Sequence, residues 1–206
     1  MPELCVERAV EPDQDEALSH LVGIGLGRAI TVIGDLLGVR LTARAPIVRF
    51  VSLSDEPRLG PNETPETSNA VRSDLTGSLA GYASVCLHPS TATYVASRLG
   101  AERGWRDASP VRQDALVTEI GSILLSSVIE GLRPILPARG SFSPPELTST
   151  NATRWHEMAQ STVGGLHVQL EIEDDASSLR FEFYFLTGPR GLDLLLTAVD
   201  DVMAVA

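Results

Sequence analysis

The stretch QDALVTEIGSILLSSVIEGL, Gln113 to Leu132, decides the fold. It is an oily helix with a single file of polar groups. At about 100° per residue, Glu119, Ser122, Ser126 and Glu130 fall with Ala115 and Arg133 in a band about 80° wide. The other directions are filled by Leu116, Val117, Ile120, Ile123, Leu124, Leu125, Val128, Ile129 and Leu132. Such a helix is buried around most of its circumference and wet along one strip. The strip is either the plain exposed edge of a core helix or a surface that touches a partner.

Working outward, the chain has 206 residues, 43% of them hydrophobic and 21% charged. That length buries about 70% of the unfolded surface and needs no disulfide staples. The formal charge of −11 repels phosphate backbones and anionic lipid, so the expected partners include neither nucleic acid nor membrane. Cys5 and Cys86 show no pairing pattern, which fits a reducing cytoplasm; Cys86 reads as a small core residue. The opening MPELCVERAVEPDQDE has no apolar core of a secretory signal. No apolar run is read as approaching the ~18 residues of a membrane span.

Residues 1–14 read as a loose acidic leader and 15–206 as one domain. An apolar helical period runs from Asp15 to Gly38 through Leu18, Leu21, Val22, Leu26, Ile30, Ile33 and Leu37, with Gly38 as its cap. Gly23, Gly25 and Gly27 read as packing glycines, because a helix-interior glycine costs about 1 kcal/mol without one. Ala45–Ser54 alternates like a strand. Residues 55–70 are a polar, Pro-rich loop, Leu75–Pro89 a strand, and Pro89–Gly100 a helix. After the quoted helix, ended by Pro134 and Pro137, Phe142–Ser149 is a strand and 150–162 a polar connection. Gly165–Glu173 and Ser178–Leu186 form a hairpin around DDASS, and Gly188–Met203 is a closing helix.

The order repeats: long helix, Pro-led strand, polar excursion, strand, Pro-started helix. Pro46 and Pro145 are 99 residues apart, Pro89 and Pro189 are 100 apart. This predicts an α/β fold of the α+β type, a tandem duplication of about 15–100 and 110–204 around a pseudo-twofold axis. The strands join in one antiparallel-rich sheet with the two long helices on one face.

At these residues the sequence resembles the CheC-type phosphatases of bacterial chemotaxis and their relatives CheX and FliY. Their motif is Asp or Ser, then Glu, then Asn, then Pro, at steps of 4, 3 and 23 residues. The second copy here reads Ala115, Glu119, Ser122, Pro145, and the first reads Glu16, His20, Gly23, Pro46, both at those steps. GIGLGRA and TGSLAGYASVCLHPSTATYVASRLG are similar to the family's glycine-rich helix segment and its strand followed by a helix. The resemblance spans roughly residues 15–203.

The resemblance implies a partner: a CheY-like receiver domain, phosphorylated on aspartate and holding its own Mg²⁺, so that no cofactor or metal belongs to this chain. The family's Glu would pair with the receiver's active-site lysine. Its Asn would orient a water in line with the acyl phosphate; positioning is most of what such a catalyst offers. Here Glu119 is kept for docking, with Ala115, Ser126 and Glu130 along the same partner-binding strip. Ser122 stands in for Asn with a shorter, freely rotating hydroxyl. In the first copy His20 and Gly23 replace Glu and Asn, leaving a degenerate site. The expected protein is cytoplasmic. It either binds a receiver while dephosphorylating it weakly at most, as the flagellar protein FliM keeps a similar core without the motif, or it is a single-site phosphoaspartate phosphatase. A CheD-like deamidase is a further partner of the family, and both monomers and homodimers occur in it.

Other constellations fail. GIGLG lacks the strand and spacing of a dinucleotide fingerprint. His20, His88, His156 and His167 lack metal-ligand spacing. Trp105 and Trp155 read as loop anchors rather than partner hot spots.

Overall fold

The computed structural model describes residues 12–52, 68–105, 109–136, 140–150, 164–174 and 177–204. The leader up to residue 11, most of the 55–70 excursion, and the connection carrying Trp155 and His156 lie outside them. The elements are α1 (Pro12–Leu37), β1 (Thr42–Ala43), β2 (Ile47–Ser52), β3 (Ser68–Thr76), β4 (Gly81–Leu87), α2 (Pro89–Glu102), α3 (Pro110–Gly131), β5 (Ser141–Phe142), β6 (Glu146–Thr150), β7 (Gly164–Glu173), β8 (Ser178–Thr187) and α4 (Pro189–Met203).

The eight strands among the described residues form one antiparallel sheet. Its centre is β4 against β8. Outward from β8 lie β7 and then β1 and β2; outward from β4 lie β3 and then β5 and β6. The register lines up one apolar row across six strands: Leu147, Val71, Val85, Phe183, Val168, Val48. The next row, on the opposite face, is polar: Glu146, Arg72, Ser84, Tyr184, His167, Arg49. Alternation of period two therefore sorts the faces. The helices take the apolar one. A Cβ on Gly121 of α3 would stand 2.4 Å from Val71 Cγ2 and 3.6 Å from Leu87 Cδ1.

Val71, Val85, Phe183 and Val168 are fully buried beneath α3 and its neighbours, as are Leu18, Val22, Ala29 and Leu37 of α1 and Leu116, Ile120, Leu124 and Val128 of α3. Each large side chain so covered contributes roughly 1.5–3 kcal/mol relative to leaving it in water. By length and mean hydropathy Asp13–Leu37 passes the test for a membrane span, which the sequence reading did not expect. Buried core helices pass that test too, and the apolar face of α1 is spent on α3 and the sheet. Gly25 lies against the backbone of Ser127 and Gly131 against that of Leu21, so the two long helices run antiparallel at close range.

The repeat is visible in the pairing itself. Ile47 of β2 opposes Gln169 of β7; Glu146 of β6, 99 residues on, opposes Arg72 of β3. The short β1 and β5 lie 99 residues apart and pair with β7 and β3 in the same exchanged manner. Ser84 and Tyr184, 100 residues apart, face each other across the central pair, and the pseudo-twofold axis passes between them.

Several boundaries differ from the sequence reading. Leu75–Pro89 is not one strand. Gly77, at φ +89°, starts a 3-10 turn over Gly77–Leu79 that folds β3 back onto β4. β3 therefore begins at Ser68, inside the stretch read as loop. Phe142–Ser149 is interrupted by Ser143–Pro145, so its first residue joins β5 and the rest joins β6. α1 starts at Pro12, where Gln14 donates to Asp200 of α4. α3 starts at Pro110, three residues earlier than read. α2 continues past Gly100 to Glu102.

Candidate functional site

The wet strip on α3 is real as a surface. Ala115, Ser126 and Glu130 are exposed, while Glu119 and Ser122 are half-buried at its centre. Leu116, Ile120, Leu124 and Val128 turn the opposite way into the core, which fixes the helix's rotation and hence where the strip points. Glu130 lies 3.9 Å from Arg133 in a loose, exposed pair.

On α1, Glu16 and His20 are exposed and Gly23 half-buried. Among the described residues His20 has no hydrogen-bond or ion-pair partner. Because the helices are antiparallel, the two motif copies sit towards opposite ends of the helix pair and do not converge. Pro46 and Pro145 immediately precede β2 and β6. There the missing N–H costs no ladder bond.

The sequence reading missed the group that meets Glu119. Arg103 Nη2 stands 2.7 Å from both Oε1 and Oε2 of Glu119, with the two side chains 36% and 33% exposed. Arg103 is brought there by the end of α2. Gly104 N–H donates to Ala101 O at 2.9 Å and Trp105 N–H to Gly100 O at 2.7 Å, with Gly104 at φ +72°. This is a Schellman cap, for which a glycine in the left-handed region is the usual residue. The signal was the ERGW of Glu102–Trp105; Gly100, taken as the stop, lies within the helix.

Trp105 packs on the core, as a loop anchor would. The guanidinium groups of Arg103 and Arg112 lie 5.8 and 4.9 Å from its ring centroid. The carboxylate thus sits in a cationic, aromatic corner of an otherwise acidic chain. In the other repeat, the residue 100 positions after Arg103 is Met203, so that position brings no cation.

Chemically, this corner offers one carboxylate already paired with a guanidinium, and one hydroxyl, Ser122, a turn away. No carboxamide stands at either motif position. Among the described residues no three His, Cys, Asp or Glu side chains gather as they would around a metal ion.

No family model matches the chain, and no curated protein sequence matches it. Solved structures do. FliY of Thermotoga maritima superposes with a TM-score of 0.70 at 15% identity, covering 94% of this chain and 99% of that one. A chain of the FliM–SpeE complex from H. pylori gives 0.65 at 13% identity, with 94% and 97% covered. One from the FliG–FliM complex of H. pylori gives 0.64 at 13% identity, with 91% and 100% covered. The chain has the CheC-like fold that it shares with FliY and the FliM middle domain.

Proposed function

We propose that the chain is a chemotaxis-type signalling module that binds a CheY-like receiver through the α3 strip and leaves its phosphoryl group largely intact. One observation carries this reading. Glu119 stands at the solvent-facing centre of the strip, while the positions that would steer a water hold Ser122 in one copy and Gly23 in the other. Docking needs a carboxylate that a lysine can reach, and Glu119 supplies one. In-line hydrolysis needs a planar donor–acceptor pair at a fixed depth. A serine hydroxyl ends short of that depth and a glycine brings nothing.

The alternative, a single-site phosphatase, is favoured by the half-burial of Ser122 one turn from Glu119, which would restrict its hydroxyl. The two readings separate on the lifetime of a phosphorylated receiver. The proposal expects no change with saturating wild-type protein and a shortened lifetime with Ser122→Asn, which restores the missing amide on an intact scaffold. Acceleration by the wild type that disappears in Glu119→Ala establishes the phosphatase instead.

A further inference from the structure

Glu119 is not a waiting carboxylate. Both of its oxygens accept from Arg103 Nη2 at 2.7 Å, so a lysine approaching from outside meets a carboxylate whose charge is already paired and must share or replace that contact. The backbone of Arg103 is fixed by the Schellman cap, and its guanidinium lies over the Trp105 ring, beside Arg112.

We propose that Arg103 is a built-in competitor for the docking carboxylate: it occupies Glu119 in the free protein, and a partner's cation binds by displacing it. The proposal rests on the reading of Glu119 as the docking group. Displacement is feasible because the pair is partly exposed, and ion pairs of that kind hold weakly.

The exchange makes the site selective. A well-placed ammonium, backed by the rest of an interface, outcompetes Arg103; an isolated cation does not. The device belongs to one repeat only, because Met203 occupies the corresponding position in the other.

The first test needs no partner. Carbodiimide-driven coupling of an amine to Glu119, followed by peptide mass spectrometry, reads how available the carboxylate is. Arg103→Gln is expected to couple about two- to fivefold faster than wild type, in line with the weak hold of a half-exposed pair. Raising the salt to about 1 M speeds the wild type, because salt weakens a partly exposed ion pair, and leaves Arg103→Gln unmoved. Equal rates in wild type and Arg103→Gln overturn the proposal.

The second test titrates a CheY-type receiver loaded with beryllofluoride. Arg103→Gln is expected to bind about two- to fivefold tighter. Weaker binding makes Arg103 a contact rather than a competitor and also overturns it. A receiver that binds none of the variants removes the docking reading, and the coupling rates still decide whether Arg103 screens Glu119.

Discussion

His167 lies mid-strand in β7, its ring stacked on Tyr184 at 4.6 Å between centroids, and it is buried. Among the described residues its Nε2 has no hydrogen-bond partner, nor do Tyr82 Oη and Ser84 Oγ on the same polar face. Burial, with a smaller contribution from the Arg49 charge, pulls the His167 pKa down to about 4. Between that value and the ordinary 6.5, the unfolded chain takes up a proton that the native chain refuses. The stability contribution is therefore intact above pH 6.5 and lost as pH falls towards 4, by roughly 3 kcal/mol in all. Glu182, pushed up by burial although Tyr184 donates to it, acts oppositely, losing stability as pH rises through its own window. The difference between wild-type and His167→Gln unfolding curves from pH 4 to 7 isolates the imidazole. The wild type should lose more stability on acidification, and parallel curves would rule out a buried neutral histidine. The sequence showed a histidine in an alternating strand but not its burial, because what covers a strand face is set by residues far away in the chain. The α3 strip could be read from its period alone. Arg103 could not, because it reaches Glu119 only through the geometry of the α2 cap.

At the scale of elements, the glycines of α1 correct the sequence reading and yield the sharpest stability prediction. All three were taken as packing residues. Only Gly25 is one: a Cβ there would stand 2.2 Å from Ser127 O, a backbone atom that cannot yield cheaply. At Gly23 and Gly27 an added Cβ meets nothing within 4 Å. The helical period already contained the conflict, since residues two apart point to nearly opposite sides and 23 and 27 share the side that 25 does not. Urea unfolding should show Gly23→Ala and Gly27→Ala stabilised by about 0.5–1 kcal/mol each. Gly25→Ala should lose about 1–3 kcal/mol or more from overpacking. The same sign at all three positions contradicts the observed rotation of α1. Gly104→Ala should cost about 1 kcal/mol through its left-handed cap position. It should also raise the coupling rate of Glu119, since that cap is what aims Arg103.

At the scale of the whole molecule, the duplication could be read from two proline offsets and a repeated order of elements. The exchange of edge strands could not. Nothing local says that β2 pairs with β7 of the other repeat, or β6 with β3, because strand pairing is chosen by the sheet as a unit. That exchange makes the repeats interdependent. Residues 1–105 and 106–206 expressed separately should lack cooperative unfolding, and mixing them should restore it; an independently folded half would contradict the exchanged pairing. The shared fold with FliY and FliM places the chain in an architecture; the proposed function rests on the residues at the motif positions. The most direct test of that account is a calorimetric titration of beryllofluoride-loaded CheY-type receiver into the protein, wild type against Glu119→Ala. The account predicts saturable one-to-one binding per α3 strip, weakened about tenfold or more when the charge-assisted contact is removed. Absence of binding, or binding indifferent to Glu119, contradicts it.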